Sequence, residues 1–282
     1  MSNKEKMPIY KIGKPILGFI YKLWYCPTII GRENIPEDGG IILVGNHIHI
    51  MDQCNVILAT KRCIHYMAKK EYFNPKYKEG KFPWFFKGAG CIPVDRSKKD
   101  DEAISSALEV LQNDEALGLF PEGTRNMVKE EKAREWYDKY IDSDSIIFID
   151  FFKKFKNNKT SLVNYFEELK KKKIITNDEF YDNIYDVDAF LKDLIINKRI
   201  TKDEYYEHSL LPLKFGAVSL AHKTHSLIVP YAISGSYKFR GKDLIIRIGK
   251  PFTVDDDLEK ANERLDFAIK ELLKENEKIS GK

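Results

Sequence analysis

Paired cysteines, long apolar runs and a strong excess of charge of one sign are all missing from this chain of 282 residues. Its four cysteines, Cys26, Cys54, Cys63 and Cys91, form no C-x-x-C pair and stand in or beside apolar stretches. They fit reduced thiols in a cytosolic compartment, and no disulfide framework is implied. The most apolar N-terminal stretch, Tyr10 to Tyr25, is too short and too interrupted by lysine to span a bilayer, and no cleavable signal peptide is evident. The formal net charge is only +4. With no Arg-rich or RNA-reading aromatic motif beside it, that excess excludes a dedicated nucleic-acid binder. The length suffices for one large α/β core, or for a core plus a small appendage.

What is present is a set of four short blocks: Gly45-Asn46-His47-Ile48-His49-Ile50-Met51-Asp52, Gly90-Cys91-Ile92-Pro93-Val94-Asp95-Arg96, Phe120-Pro121-Glu122-Gly123-Thr124-Arg125 and Ile228-Val229-Pro230-Tyr231-Ala232-Ile233. In this order and spacing they resemble the glycerolipid acyltransferases, and within them the 1-acylglycerol-3-phosphate O-acyltransferases. The chemistry of such an enzyme accounts for the first block. An alcohol is a poor nucleophile until a base removes its proton during attack. His47 is the candidate base, and Asp52, five residues on, is the carboxylate that would fix its tautomer and stabilise the imidazolium. The run Ile41-Ile42-Leu43-Val44 reads as a buried strand broken by Gly45, which puts His47 at the strand's C-terminal end, where open α/β sheets hold ligands. Asp52 then falls in the first helical turn beyond.

Arg96 and Arg125 are the expected phosphate ligands, since the planar guanidinium grips phosphate through two hydrogen bonds. The resemblance further implies that Glu122 and Gly123 line the pocket for the acceptor's glycerol phosphate, with Gly123 allowing close backbone approach. It implies an α/β fold with helices around a mostly parallel sheet. It also implies an acyl thioester donor, either acyl-CoA or acyl carrier protein, and lysophosphatidate as acceptor. No metal, cofactor or covalent intermediate is required. Glycerol 3-phosphate or another lysophospholipid is the alternative acceptor, and a non-catalytic lipid-binding scaffold is a further alternative. His49 departs from the family, which usually has a small polar residue there. The H-x-H pair it creates also begins several metallohydrolase sites, but those continue as H-x-H-x-D-H, and here Met51, Asp52 and Gln53 follow.

At the N-terminus, residues 1–30 are expected to hold an interfacial helix. Lys11, Lys14, Gly18 and Lys22 fall on one stripe and Ile12, Ile16, Phe19, Ile20 and Leu23 on the rest, the pattern of a helix lying on a membrane surface. The expected location is therefore peripheral, on the cytoplasmic face of the cell membrane. Phe82-Pro83-Trp84-Phe85-Phe86 reads either as core packing or as a membrane-facing or acyl-lining stretch.

The acyltransferase core is expected over residues 31–127 and 210–282. Residues 128–209 form an insertion where the resembled family has a short loop, and a structureless loop of roughly eighty residues is improbable in a compact domain. The segment Leu169 to Tyr181 recurs as Leu194 to Tyr206, and each copy carries a T-x-x-E capping box, Thr176 with Glu179 and Thr201 with Glu204. Each copy reads helix, short turn, helix, and resembles small hairpin modules of the SHOCT type. The insertion is thus expected to be a small all-helical unit, serving as a docking or membrane-apposition module or as an ornament without function.

Overall fold

The computed structural model describes residue 7 and residues 9–77, 80–141 and 145–280. They divide into two compact units, Met1–Gly123 with Leu213–Lys282, and Thr124–Pro212. The first unit holds seven strands: β1 (Thr28–Ile30), β2 (Ile41–Gly45), β3 (Ile64–Lys69), β4 (Ile92–Val94), β5 (Ala116–Leu119), β6 (Leu227–Ser234) and β7 (Ile245–Ile248). Its helices are α1 (Lys14–Tyr25), α2 (Asp52–Ala59), α3 (Pro83–Gly88) and α4 (Asp101–Gln112). The second unit supplies α5 (Glu130–Tyr140), α6 (Phe148–Phe155), α7 (Thr160–Lys171), α8 (Asn177–Asp182), α9 (Val187–Ile196) and α10 (Lys202–Glu207). The chain then returns to the first unit with α11 (Gly216–Thr224) and α12 (Leu258–Ser280).

The strands form one sheet in the order β1-β7-β6-β2-β5-β3-β4. Every neighbouring pair is parallel except β6 with β7. The α/β architecture with a mostly parallel sheet read from the sequence is therefore the one found. Strand β2 lies at the centre, and every residue of it is buried, as an uninterrupted apolar run requires when helices cover both faces. Ile41 and Leu43 pack in one cluster with Val56 and Ala59 of α2, so the alternate residues Ile42 and Val44 face the other side. The order also sets the site. Because β5 and β6 flank β2 and run parallel to it, the segments leaving their C-terminal ends converge beyond Gly45.

Helix α1 meets the first unit through Lys14, Gly18 and Tyr21, while Lys22 is exposed. Gly18 is buried so closely against α2 that a Cβ there would sit 2.6 Å from Leu58 Cδ2, Lys14 Nζ donates to the Thr60 carbonyl, and Tyr21 Oη donates to Asn55 Oδ1 at 2.9 Å. The side chain of Lys11 lies outside the described residues. Ile12, Ile16, Phe19, Ile20 and Leu23 are all more than half exposed. Pro15 stands in the first turn and starts this helix rather than kinking it. In the aromatic stretch around α3 the two sequence readings divide: Phe86 stacks on Tyr72 at 4.9 Å, while Phe82 and Trp84 are exposed.

The second unit is all helical among its described residues, around an aromatic core. Trp136, fully buried, packs against Phe155 at 5.1 Å and Phe180 at 5.5 Å. Phe151 and Phe155 of α6 are buried within this core, so the apolar face of that helix serves the unit itself. Both capping boxes form: Thr176 and Glu179 satisfy each other's backbone amides at the start of α8, and Thr201 and Glu204 do so at α10. The repeat extends to the turns, where Lys173 and Lys198 both take left-handed backbone and Leu169 and Leu194 carbonyls accept from Ile174 and Arg199. Arg199 then reaches back from the second turn to Glu179 and the Ile174 carbonyl of the first.

Two substitutions test these accounts. A Cβ at Gly45 would lie 2.3 Å from ring atoms of Tyr231, so Gly45→Ala is expected to cost about 1–3 kcal/mol, seen as a lower midpoint in chemical denaturation at unchanged slope. Trp136→Ala is expected to remove about 3–5 kcal/mol from the helical unit, with loss of its near-ultraviolet dichroism; an unchanged spectrum would refute the aromatic core.

Candidate active site

The turn after β2 is held by a side chain acting as backbone. Asn46, buried, donates Nδ2 to the Ile233 carbonyl at 2.8 Å and accepts the Ile233 amide on Oδ1 at 2.7 Å. This is the pair of bonds a peptide unit would make, and it extends the β2–β6 ladder one step past Gly45. The chain then bends around Asp52, the first residue of α2, whose carboxylate is completely buried. Asp52 Oδ2 accepts from the Ile48 amide at 2.7 Å, from the His49 amide at 2.8 Å and from His47 Nδ1 at 2.8 Å. Tyr237 Oη, from the loop after β6, donates to Asp52 Oδ1 at 2.5 Å.

With three donors besides His47 on it, the carboxylate is the acceptor, so in the neutral imidazole Nδ1 carries the proton and Nε2 the lone pair. Nε2 has no hydrogen-bond partner among the described residues. The imidazole is sandwiched into place by Phe120, which stacks on it at 4.0 Å with the rings 14° apart. Tyr237 is fixed in turn: Asn55 Nδ2 donates to its hydroxyl at 2.7 Å, and its ring stacks on His49 at 4.1 Å. Burial, together with the Asp52 charge beside it, pushes the Tyr237 phenol far above its ordinary value, so it remains a donor at any working pH. A relay of hydrogen bonds thus runs from Tyr21 of α1 through Asn55 and Tyr237 to Asp52 and His47.

Glu122, leaving β5, is buried and accepts the His47 amide on Oε1 at 2.8 Å. It is therefore built into the support of His47. Gly123 adopts φ +70, closing a turn in which its amide donates to the Phe120 carbonyl at 3.0 Å. Arg96 Nη1 donates to the Gly123 carbonyl at 3.3 Å from one side. From another comes Lys214, whose amide donates to the Pro121 carbonyl at 2.9 Å and whose Nζ would lie 2.6 Å from a Cβ on Gly123. Arg96 and Lys214 are both exposed and neither meets a carboxylate among the described residues. Arg125 is also exposed and belongs to the second unit. The structure of the first unit thus brings together His47, Asp52, Glu122, Gly123 and Arg96.

Sequence reading missed Tyr237, Asn55 and Lys214. None of the three lies in the four blocks that carry the resemblance.

His49, the departure in the first block, has its Nδ1 accepting the Met51 amide at 3.2 Å and its face on Tyr237. Its ring therefore supports the tyrosine. Among the described residues no three His, Cys, Asp or Glu side chains stand where they could hold a metal ion. His65 is a satisfied core group, placed between the Gly90 carbonyl at 2.7 Å and Glu115 at 2.8 Å.

The chain is 32% identical over 120 residues to a 1-acyl-sn-glycerol-3-phosphate acyltransferase of Bacillus subtilis, covering 42% of this chain and 57% of that relative. It is 34% identical over 97 residues to the enzyme of the same name from Streptococcus pneumoniae, covering 33% of this chain and 35% of that one. The matched segments thus span a third to just over half of these curated relatives. In three dimensions it is similar to the crystal structure of the 1-acyl-sn-glycerophosphate (LPA) acyltransferase PlsC from Thermotoga maritima, with a TM-score of 0.52 at 17% identity over 98% of this chain and 79% of that one, a likeness of fold. The family model described as Acyltransferase matches residues 26–234, which include His47, Asp52, Arg96 and Glu122, and the chain accordingly belongs to the acyltransferase family.

Proposed function

We propose that this protein transfers an acyl chain from a thioester, acyl-CoA or acyl carrier protein, to the free hydroxyl of 1-acylglycerol 3-phosphate, making phosphatidic acid for phospholipid synthesis. The observation that carries the reading is His47, its Nδ1 pinned to a buried carboxylate and its Nε2 left with a lone pair at the C-terminal end of the central strand. In this mechanism Nε2 takes the hydroxyl proton as the oxygen attacks the thioester carbonyl. The tetrahedral adduct collapses, the C–S bond breaks, and the thiol leaves with the proton returned by His47. Asp52 holds the tautomer and offsets the imidazolium charge throughout.

Arg96 and Lys214, flanking the Gly123 turn, supply positive charge for the acceptor's phosphate, and Arg125 is assigned the same task from the motif. Glu122 serves the site by fixing the His47 backbone. A peripheral position on a membrane, at its cytoplasmic face, fits the outward apolar face of α1; no helix among the described residues is long and apolar enough to cross a bilayer.

Acyl transfer to 1-acylglycerol 3-phosphate, glycerol 3-phosphate and a neutral lysolipid, measured with chelator present, tests the proposal. Wild type is expected to turn over the first acceptor, with His47→Ala slower by about 10²–10⁴-fold. Transfer to none of the three, or transfer abolished by chelator, would contradict it. Tyr237→Phe leaves Asp52 Oδ1 without its donor and is expected to lower kcat about ten- to a hundredfold with KM little changed. Lys214→Met is expected to raise KM for the phosphorylated acceptor several-fold while kcat holds, with Lys214→Arg restoring it; equal KM values in all three proteins would remove Lys214 from the phosphate site.

A further inference from the structure

The loop between β6 and β7 has two ends with different surroundings. At its base Tyr237 is packed between Tyr25 of α1 and His49 and donates to Asp52. Two residues on, Phe239 is 61% exposed, with Lys238, Arg240 and Lys242 around it, all exposed. The tip is not free to wander. Arg240 donates its amide to the Trp24 carbonyl at 2.7 Å, and the Phe239 and Trp24 rings meet edge-on with centroids 4.8 Å apart. Below it, Asp243 Oδ2 accepts both the amide and the hydroxyl of Ser236, and the Gly241 amide donates to the Lys238 carbonyl.

Trp24 is itself 51% exposed and ends the outward arc of α1 formed by Ile16, Phe19, Ile20 and Leu23. A water-facing helix turns its lysines out and its apolar residues in. Helix α1 instead turns Ile16, Phe19, Ile20, Leu23 and Trp24 outward, and Phe239 continues this apolar arc from a distant part of the chain. Exposed aromatic rings beside three basic residues match the chemistry of an anionic bilayer, where the rings enter the acyl boundary and the cations meet headgroup phosphates.

Resting on the acyltransferase reading above, we propose that the β6–β7 loop is a second lipid-contacting element, joined to α1 through Trp24, and that its seating on an anionic membrane holds Tyr237 on Asp52. Membrane contact and the readiness of His47 are then linked through one short loop. The link runs through Tyr237, because the residue that touches Asp52 and the residue that touches lipid are separated by Lys238 alone. It also runs through α1, whose Tyr21 reaches Asn55, the residue donating to the Tyr237 hydroxyl.

The test uses the whole protein and vesicles of phosphatidylglycerol with phosphatidylcholine, against vesicles of phosphatidylcholine alone. The variant Phe239→Ser/Arg240→Glu is expected to lose about tenfold or more in affinity for the anionic vesicles, since one ring and two units of charge are changed. A water-soluble short-chain lysophosphatidate reports on the second half of the proposal. Anionic vesicles are expected to stimulate its acylation by wild type several-fold and to leave the variant unstimulated, both having equal rates without lipid. Vesicle binding equal to wild type, in a variant whose unfolding midpoint is unchanged, would overturn the docking surface. Lost binding with stimulation retained would overturn the link to Tyr237. If wild type is a dimer without lipid and the variant a monomer, the patch joins two copies of the chain and the proposal fails. A variant that unfolds early is replaced by Lys238→Glu/Lys242→Glu, whose side chains are exposed, with the same outcomes. Should wild type acylate no acceptor yet bind anionic vesicles through this loop, the enzymatic reading fails while the docking surface stands.

Discussion

A carboxylate with no access to water dictates the geometry of this protein's site. Placing the Asp52 charge at complete burial would be prohibitive without compensation, because an unpaired buried ion costs several kcal/mol. Four donors supply that compensation, and each constrains a different part of the chain. Two are the amides of Ile48 and His49, which force the backbone after β2 to curl round the start of α2. The third is the imidazole of His47, and the fourth is Tyr237 from beyond β6. Asn46 and Gly45 make the curl possible, one by standing in for a peptide unit and the other by leaving room for the Tyr231 ring. The His47–Asp52 pair is therefore the visible part of a larger solution to a solvation problem.

What the sequence disclosed and what it withheld divide along the distance between partners. His47 and Asp52 are five residues apart and joined by local geometry, so a motif could carry them. The central strand was legible from its apolar run, and the two capping boxes from their T-x-x-E spacing. Tyr237 was not legible, because its partnership with Asp52 depends on β6 lying beside β2, and strand order is set by the whole sheet. Helix α1 shows a different limit. The pattern of lysines and apolar residues separated two faces, but it did not show that Gly18 and Tyr21 would meet the first unit while Lys22 stays exposed. That was decided by Gly18, whose missing side chain lets α1 close on α2, and by tyrosine hydroxyls that hydrogen-bond inward.

The helical unit interrupts the first unit at a point that tolerates it. The chain leaves after Gly123 and returns at Leu213, and within the first unit these two points touch, Lys214 bonding to Pro121 and its side chain crossing Gly123. A segment whose ends are held together already needs no spanning connection, and lengthening it adds only slowly to the entropy of closure. The unit meanwhile satisfies itself, with its own aromatic core and a repeated helix-turn-helix bridged by Arg199.

The same discontinuity fixes an order of events as the chain is made. Strand β1 finds its neighbour in β7, the last strand, and β2 finds one of its two in β6, on the far side of the inserted helices. A nascent chain displaying His47 and Asp52 at the ribosome thus has neither a finished sheet nor the tyrosine that completes the carboxylate's shell. The shell of Asp52 is completed only once the chain through Tyr237 has been synthesised and β6 has paired with β2 across this long sequence separation, which is also the slow kind of contact to form. The site at the end of β2 is consequently completed by a segment made only after the inserted helices.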